Sequence, residues 1–229
     1  MYKLITFDMY SALLDIYRSA VPLVKEVMPE WSDEECEKYF SRWRAEQWLY
    51  MLLLGCTQKG FVSYAELTRR AQDYTEFKLN MHPGPEKKEE LLHHVWTNFK
   101  VWPEAKEVLG ELKKRGYQIA MLSNGDYDML APLQDANDIQ FDYIFSADMA
   151  KCHKPGPQIY YLPMTQLGLK KDDYLHVCGS ANDLMGAVSA GINVAWHNRR
   201  QDRPYDPAVR PLFETRDLYG LLEHLPPRR

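Results

Sequence analysis

A chain of 229 residues with 45% hydrophobic and 13% aromatic side chains can fill one large domain, or a core with a smaller domain inserted, and is too apolar to be wholly disordered. Its net charge of −4 excludes the basic footprint of a general nucleic-acid binder. The longest apolar run, near Trp48 to Leu54, falls far short of the roughly 18 residues that a membrane-crossing helix needs. Cys36, Cys56, Cys152 and Cys178 form neither a CxxC pair nor a disulfide framework. The N-terminus enters an apolar segment without a signal peptide's layout, and both observations point to the reducing cytoplasm.

The first element is a short apolar strand, Leu4 to Phe7, broken by Asp8. An acid just past a buried strand sits at the carboxyl edge of a sheet, where open α/β folds hold their ligands. Asp is also a common N-cap. From Ile16 the period changes to three and four residues, over Ile16 to Met28, Ser32 to Leu54 and Ser63 to Phe77. Ser32 and Glu35 make a capping box, whereas Gly55 and Thr57-Gln58-Lys59-Gly60 are expected to break the long helix. After His82-Pro83-Gly84-Pro85 a further helix is expected from Glu86 to about Asn98. No strand pattern occurs between residues 16 and 98, so this stretch is a helical insertion.

From Trp102 strands and helices alternate. Helices are expected over Glu104 to Arg115, around Tyr127 to Leu133, from the opening Lys154-Pro155-Gly156-Pro157 through Leu167, and over Asn182 to Ala190. Strands are expected over Tyr117 to Leu122, Phe141 to Phe145, Tyr174 to Cys178 and Ile192 to Trp196. Residues 197–211 read as a loop before a last helix near Leu218 to His224. Repeated β–α units imply a parallel sheet covered on both faces. The fold class is therefore α/β, a Rossmann-like three-layer core of residues 1–15 and 99–229 with an inserted helical domain of residues 16–98.

Four polar sites fall at strand ends: Asp8, Ser123-Asn124, Lys154 and Asp183. In a parallel sheet their carboxyl ends converge. Each has an ordinary alternative, since Ser is a common N-cap and Lys before Pro is often a solvated loop residue. Together, in this order and with Phe7-Asp8-x-Tyr10-x-x-Leu13-x-Asp15, they resemble the four motifs of the haloacid dehalogenase superfamily. Tyr10 resembles the 2-haloacid dehalogenases within it, whose relatives among the phosphatases usually carry a second Asp there. Counting back from Asp183 puts Gly179 where phosphatases usually carry a metal-binding Asp. Lys154-Pro155-x-Pro157-x-x-Tyr160 and Leu122-Ser123-Asn124-Gly125 are similar to dehalogenase forms of their motifs. In the insertion, Trp43-Arg44-x-x-Gln47 and Tyr50 resemble the dehalogenase cap helix, with Arg42 the competing cation. Arg44 and Trp48 are one helical turn apart and share a face.

The resemblance implies hydrolytic dehalogenation of a short 2-halo carboxylate to a 2-hydroxy acid, without metal or cofactor. It implies Asp8 as nucleophile forming an ester and Arg44 with Asn124 as acceptors of the halide. It further implies Asp183 as the base toward water, oriented by Lys154. Tyr10, Ser11, Ala12, Trp48, Ser123, Tyr160 and Ser180 would line the substrate site, and carbon–fluorine substrates stay open. It leaves room for a homodimer and gives no reason to expect nucleic-acid or membrane partners. Three departures stand out. Ser11-Ala12 replaces the family's Gly-Thr, removing a hydroxyl near the nucleophile, and Cys178 and Ser180 replace Ser and Asn. Two other readings remain open, a Mg²⁺-dependent small-molecule phosphatase of the same fold and a catalytically weakened member that binds a ligand or partner. His93, His94 and His153 form no ligand pattern, and His176 reads as a buried structural residue.

Overall fold

The computed structural model describes residues 2–57 and 60–228. Among them, a parallel sheet of six strands runs β1 (Leu4–Phe7), β2 (Gln118–Ser123), β3 (Tyr143–Ser146), β4 (Tyr174–Cys178), β5 (Asn193–His197) and β6 (Phe213–Thr215), in the spatial order β3-β2-β1-β4-β5-β6. The strands read as unbroken apolar runs because both faces are covered. Ile5 and Phe7 join the apolar cluster on one face, while Leu4, Ala120, Leu122, Tyr174 and Cys178 join the cluster on the other. Thr6 and His176, paired in register across β1 and β4, are both wholly buried.

Four helices fill the insertion: α1 (Ile16–Val27), α2 (Asp33–Thr57), α3 (Tyr64–Leu79) and α4 (Pro85–Asn98). No strand interrupts them among the described residues. The chain leaves and re-enters the sheet layer side by side, since Leu14 bridges Val101 and the Trp102 N–H donates to the Leu13 carbonyl over 2.9 Å. Asp126 ties insertion to sheet, its carboxylate accepting the Tyr64 and Ala65 N–H groups at 2.9 and 2.8 Å at the start of α3. Beyond the insertion come α5 (Ala105–Lys114), α6 (Tyr127–Asn137), a single turn α7 (Ala147–Ala150), α8 (Pro157–Leu167), α9 (Ala181–Ser189) and α10 (Gly220–His224). This is a Rossmann-like α/β fold with helices on both faces of its sheet.

The differences from the sequence expectations are local. Gly55 does not stop α2, which continues to Thr57; a glycine in a helix costs about 1 kcal/mol, which does not forbid it. The expected break at Gln58 and Lys59 lies outside the described residues. The Ser32 cap forms as expected, with the Ser32 N–H donating to Glu35 and the Glu35 N–H to the Ser32 hydroxyl. The sheet has a further strand, β6, within a stretch that carries only three strand residues. No helix is long and apolar enough to cross a membrane among the described residues.

Candidate active site

Asp8 ends β1, the strand between β2 and β4, with its own N–H donated to the Val177 carbonyl at 2.9 Å. The chain then makes one wide π-helical turn, Met9–Leu13, capped by the Asp8 side chain. Such turns recur at functional sites. Here it folds Ser11 back over the carboxylate. The Ser11 N–H and hydroxyl donate to Oδ2 at 2.6 and 2.5 Å. The Ser123 hydroxyl and the Lys154 ammonium each donate to Oδ1 at 3.2 Å. The expected loss of a hydroxyl beside Asp8 is thus corrected, because Ser11, within the π turn, supplies one to the carboxylate. Ala12 is wholly buried, its carbonyl taken by His197 Nδ1 at 2.8 Å, and it is not on the wall of the cavity in front of Asp8.

Behind Asp8 lies a second carboxylate. Asp183 is placed in the first turn of α9, whose N-cap Ser180 accepts the Asp183 N–H at 3.3 Å. Its Oδ2 takes the Lys154 ammonium at 2.8 Å and faces His176 Nε2 at 3.1 Å, while its Oδ1 accepts from the Tyr160 hydroxyl at 2.7 Å. Burial works against the Asp183 charge, yet its neighbours, the Lys154 ammonium foremost, overcome it and hold its carboxyl well below the usual range. Burial likewise pulls Lys154 down, but the Asp183 and Asp8 carboxylates prevail and its ammonium is held above the ordinary lysine value. Burial and the Lys154 charge both lower the His176 imidazole. Burial pushes the Tyr160 phenol well up, and Asp183 adds to it. Two glycines make this packing feasible. A side chain at Gly179 would set its Cβ 2.0 Å from the Ser11 carbonyl oxygen, and one at Gly186 would meet Pro155 and the Tyr160 hydroxyl at 2.6 Å.

The insertion supplies the opposite wall. Arg44 on α2 is buried and donates to the Tyr64 hydroxyl at 3.1 Å and to the Gln47 side-chain carbonyl. Its guanidinium carbon lies 5.5 Å from the ring centres of both Trp48 and Trp96, within cation–π range. Among the described residues it has no carboxylate partner. Arg42 instead pairs with Glu46 on the same helix, so it is Arg44 that comes to Asp8. Tyr10 stacks on Tyr64 with ring centres 5.4 Å apart and meets Trp96 edge-on at 5.7 Å; burial raises its phenol well above the ordinary value.

Asp8, Ser11, Asn124, Lys154, Ser180 and Asp183 on the sheet side and Arg44, Trp48 and Tyr64 on the insertion side face one small cavity, which Tyr10 also touches. It shares Tyr10, Ser11, Arg44, Trp48 and Ser180 with a cleft of about 240 Å³ that extends to Trp102, Arg199 and Arg200. A larger cavity of about 580 Å³ between the end of α2 and Cys152–Gln158 touches Lys154 but not Asp8, Asp183 or Arg44, so it is not where these groups can act together.

Asn124 spends its Oδ1 on the Lys154 N–H at 2.7 Å, fixing the loop that carries the ammonium. Among the described residues its Nδ2 has only a sulfur contact with Met51 at 3.2 Å and a long one to the Lys154 carbonyl at 3.4 Å. The Ser123 hydroxyl is turned onto Asp8. Tyr160 meets Asp183 and does not reach the cavity wall. Two residues of the site went unread in the sequence. Tyr64 carries no signal beyond its helical position. His176 has the sequence setting of a core residue, and it is buried, but its ring lies on the Lys154–Asp183 pair.

The donor set suits a divalent cation poorly. Mg²⁺ asks for several oxygen ligands, and here the Lys154 ammonium sits between Asp8 and Asp183, while Gly179 has no space for a further acid. No cluster of three or more His, Cys, Asp or Glu side chains has metal-binding geometry among the described residues.

Comparison with known proteins gives a consistent outcome. A family model described as haloacid dehalogenase-like hydrolase matches residues 2–191. The chain is 29% identical over 223 residues to (S)-2-haloacid dehalogenase 4A of Burkholderia cepacia, covering 94% of this chain and 93% of that one. It is 28% identical over 199 residues to haloacetate dehalogenase H-2 of Moraxella sp. (strain B), with 85% of each covered. A crystal structure described as a dehalogenase superposes with a TM-score of 0.88 at 26% identity, over 100% of this chain and 98% of the other.

Proposed function

The chain belongs to the haloacid dehalogenase-like hydrolases, and from that premise we propose that it is a hydrolase of carbon–halide bonds that converts short 2-haloalkanoic acids to 2-hydroxy acids through an ester on Asp8. The observation that carries this reading is the pairing across one cavity of a buried carboxylate, Asp8, with a buried guanidinium, Arg44, that has only neutral partners among the described residues. A buried charge without a counter-ion is costly. An arriving carboxylate or departing halide supplies that counter-ion.

In this reading residues 16–98 act as a cap that closes Arg44, Trp48 and Tyr64 over the substrate. An Asp8 oxygen attacks carbon 2 as the carbon–halogen bond breaks and the halide leaves toward Arg44 and the lightly engaged Asn124 Nδ2. Either choice of attacking oxygen leaves the other with two donors, Ser11 N–H and hydroxyl or Ser123 hydroxyl and Lys154 ammonium. Those donors hold the negative charge that forms when water adds to the ester carbon. Asp183 orients that water and takes its proton. A carboxyl held so low is a weak base, so the donors on Asp8 supply the larger part of this step. The aromatic wall of Tyr10, Trp48 and Tyr64 favours a small acid.

The test is a single turnover of chloroacetate in heavy-oxygen water. The first product should carry unlabelled oxygen, with label found in the Asp8 side chain, and Asp8→Asn should release no halide while remaining folded. Label in the first product with none in Asp8 overturns the ester route. Free-halide release from fluoro-, chloro- and bromoacetate then ranks the halogens. The phosphatase reading is weaker, because it needs a cation where Lys154 sits.

A further inference from the structure

His176 stands in the middle of β4 with a side chain that the steps above leave unused. The neighbouring side chains on its face of the sheet are apolar, apart from Thr6 across the strand pair. A buried imidazole must find a partner for each nitrogen, and the partners found here belong to the site. Nε2 lies 3.2 Å from Lys154 Nζ and 3.1 Å from Asp183 Oδ2; Nδ1 lies 2.9 Å from Thr6 Oγ1.

Counting the donors of Lys154 favours one tautomer of His176. The Lys154 ammonium has three N–H groups and three acceptors within reach, Asp183 Oδ2 at 2.8 Å, Asp8 Oδ1 at 3.2 Å and His176 Nε2 at 3.2 Å. The third is available only if Nε2 carries no proton. Nδ1–H then donates to Thr6 Oγ1, and the Thr6 hydroxyl turns its own proton to the Leu175 carbonyl at 3.5 Å. With the proton on Nε2 instead, that N–H donates to Asp183 Oδ2 at 3.1 Å and Nδ1 accepts from the Thr6 hydroxyl at 2.9 Å, but the N–H also lies 3.2 Å from the ammonium and Lys154 loses its third acceptor.

We propose, on the basis of the dehalogenase reading, that His176 is a positioning residue whose neutral, Nδ1-protonated imidazole is the third acceptor of the Lys154 ammonium and holds it against Asp8 and Asp183. Protonation of Nε2 puts a second cation against Lys154 and releases it from that position, so turnover falls on the acid side as His176 becomes charged. The groups facing the ring are Lys154, Asp183 from α9, Asp8 from the end of β1, the Tyr160 ring from α8 at 5.8 Å and the Thr6 hydroxyl. The β5 register partner, Val194, is apolar. Burial and Lys154 both lower the imidazole below its ordinary value of 6.5, which leaves it neutral at neutral pH.

Two measurements test this, and one of them does not need activity. Histidine-selective ¹⁵N labelling of the intact protein, with the His176 signal assigned by its absence in His176→Gln, should show a neutral Nδ1–H ring at pH 7 that becomes charged only below the ordinary imidazole value. An Nε2–H ring, or an imidazolium at pH 7, overturns the proposal. In chloroacetate turnover, His176→Phe should lower kcat by roughly tenfold to a hundredfold, the size of effect that a misplaced catalytic group produces, with KM unchanged. His176→Gln, which keeps a neutral acceptor, should regain most of kcat and lose the acid inflection of the wild type. Equal losses in both variants with the wild-type pH profile retained, or no loss in either, overturns it. A protein that shows the Nδ1–H ring but releases no halide from any haloacetate removes the dehalogenase reading and leaves the placement of Lys154 intact.

Discussion

The two walls of the cavity hold charge in opposite ways. On the sheet side Lys154 is shared by Asp8 and Asp183, and the carboxylates are each met by further donors. On the insertion side Arg44 is as buried as Asp8, both 7% exposed, yet it leans on two indole rings, an amide oxygen and a phenol. The sheet side is a preorganised cluster in which each charge is answered before substrate arrives. The insertion side carries a charge that an anion from outside would answer. Variants that remove the shared cation of the first wall should therefore damage fold and turnover together, and variants of the second should damage turnover alone.

The largest effect is expected for Lys154→Met. It leaves two carboxylates buried with no shared cation, which should cost roughly 3–5 kcal/mol of stability together with all measurable halide release. Denaturant unfolding alongside the halide assay checks both; a variant of wild-type stability would mean that the sheet-side cluster is not coupled as described. Next comes Arg44→Ala, expected to lose about 3 kcal/mol of transition-state stabilisation, roughly a hundredfold in kcat/KM, with stability nearly kept. Arg42→Ala, which breaks only a partly exposed pair with Glu46, should keep near-wild-type turnover. Chloride should raise the unfolding temperature of the wild type by binding the folded state and should fail to do so in Arg44→Ala.

A smaller effect is expected from pH. The Asp183 carboxyl is held below its unfolded value of 3.8, so its stabilising contribution is present above about pH 4 and is lost as the pH falls through the folded value. Lys154 is held above 10.5, so its share is present below that pH and is lost as the pH rises through the folded value. Stability from this pair should be flat between those limits. Acid unfolding of Asp183→Asn should show a shallower decline below pH 4 than the wild type, and parallel curves would count against the ion pair as its source. The smallest effect, none at all, is expected from metal. Because Lys154 sits between the acids and Gly179 has no room for another, EDTA should leave dehalogenation unchanged and Mg²⁺ should not raise it. Loss with chelator, restored by Mg²⁺ and accompanied by phosphate release from a phosphoester, would favour the phosphatase reading.

The division between the walls also marks how legible the molecule was. Asp8, Ser123, Lys154 and Asp183 stand out in the sequence because each interrupts an apolar run or opens a helix, and a parallel sheet brings such points to one edge. Arg44 and Trp48 are linked by helical spacing alone. Tyr64 gives no such sign, since its partner Gln47 lies 17 residues away on another helix. His176 looks like any strand residue until Lys154, 22 residues away, is folded onto it. Strand β6 is three residues long, too short for an alternating pattern to register.

By itself the sequence determined the alternation of strands and helices, the helical insertion and the order of polar groups along the sheet edge. These follow from periodicity and local breaks, which act over a few residues. The tertiary structure alone decided that Ser11 supplies the hydroxyl on Asp8, that His176 meets Lys154 and Asp183, and that Arg44 stays without a carboxylate among the described residues. Those outcomes depend on the π turn after Asp8, on two close backbone approaches at Gly179 and Gly186, and on the docking of α2 over the sheet edge. Each is a distance between segments far apart in the chain, and a distance of that kind is set only when the whole core packs.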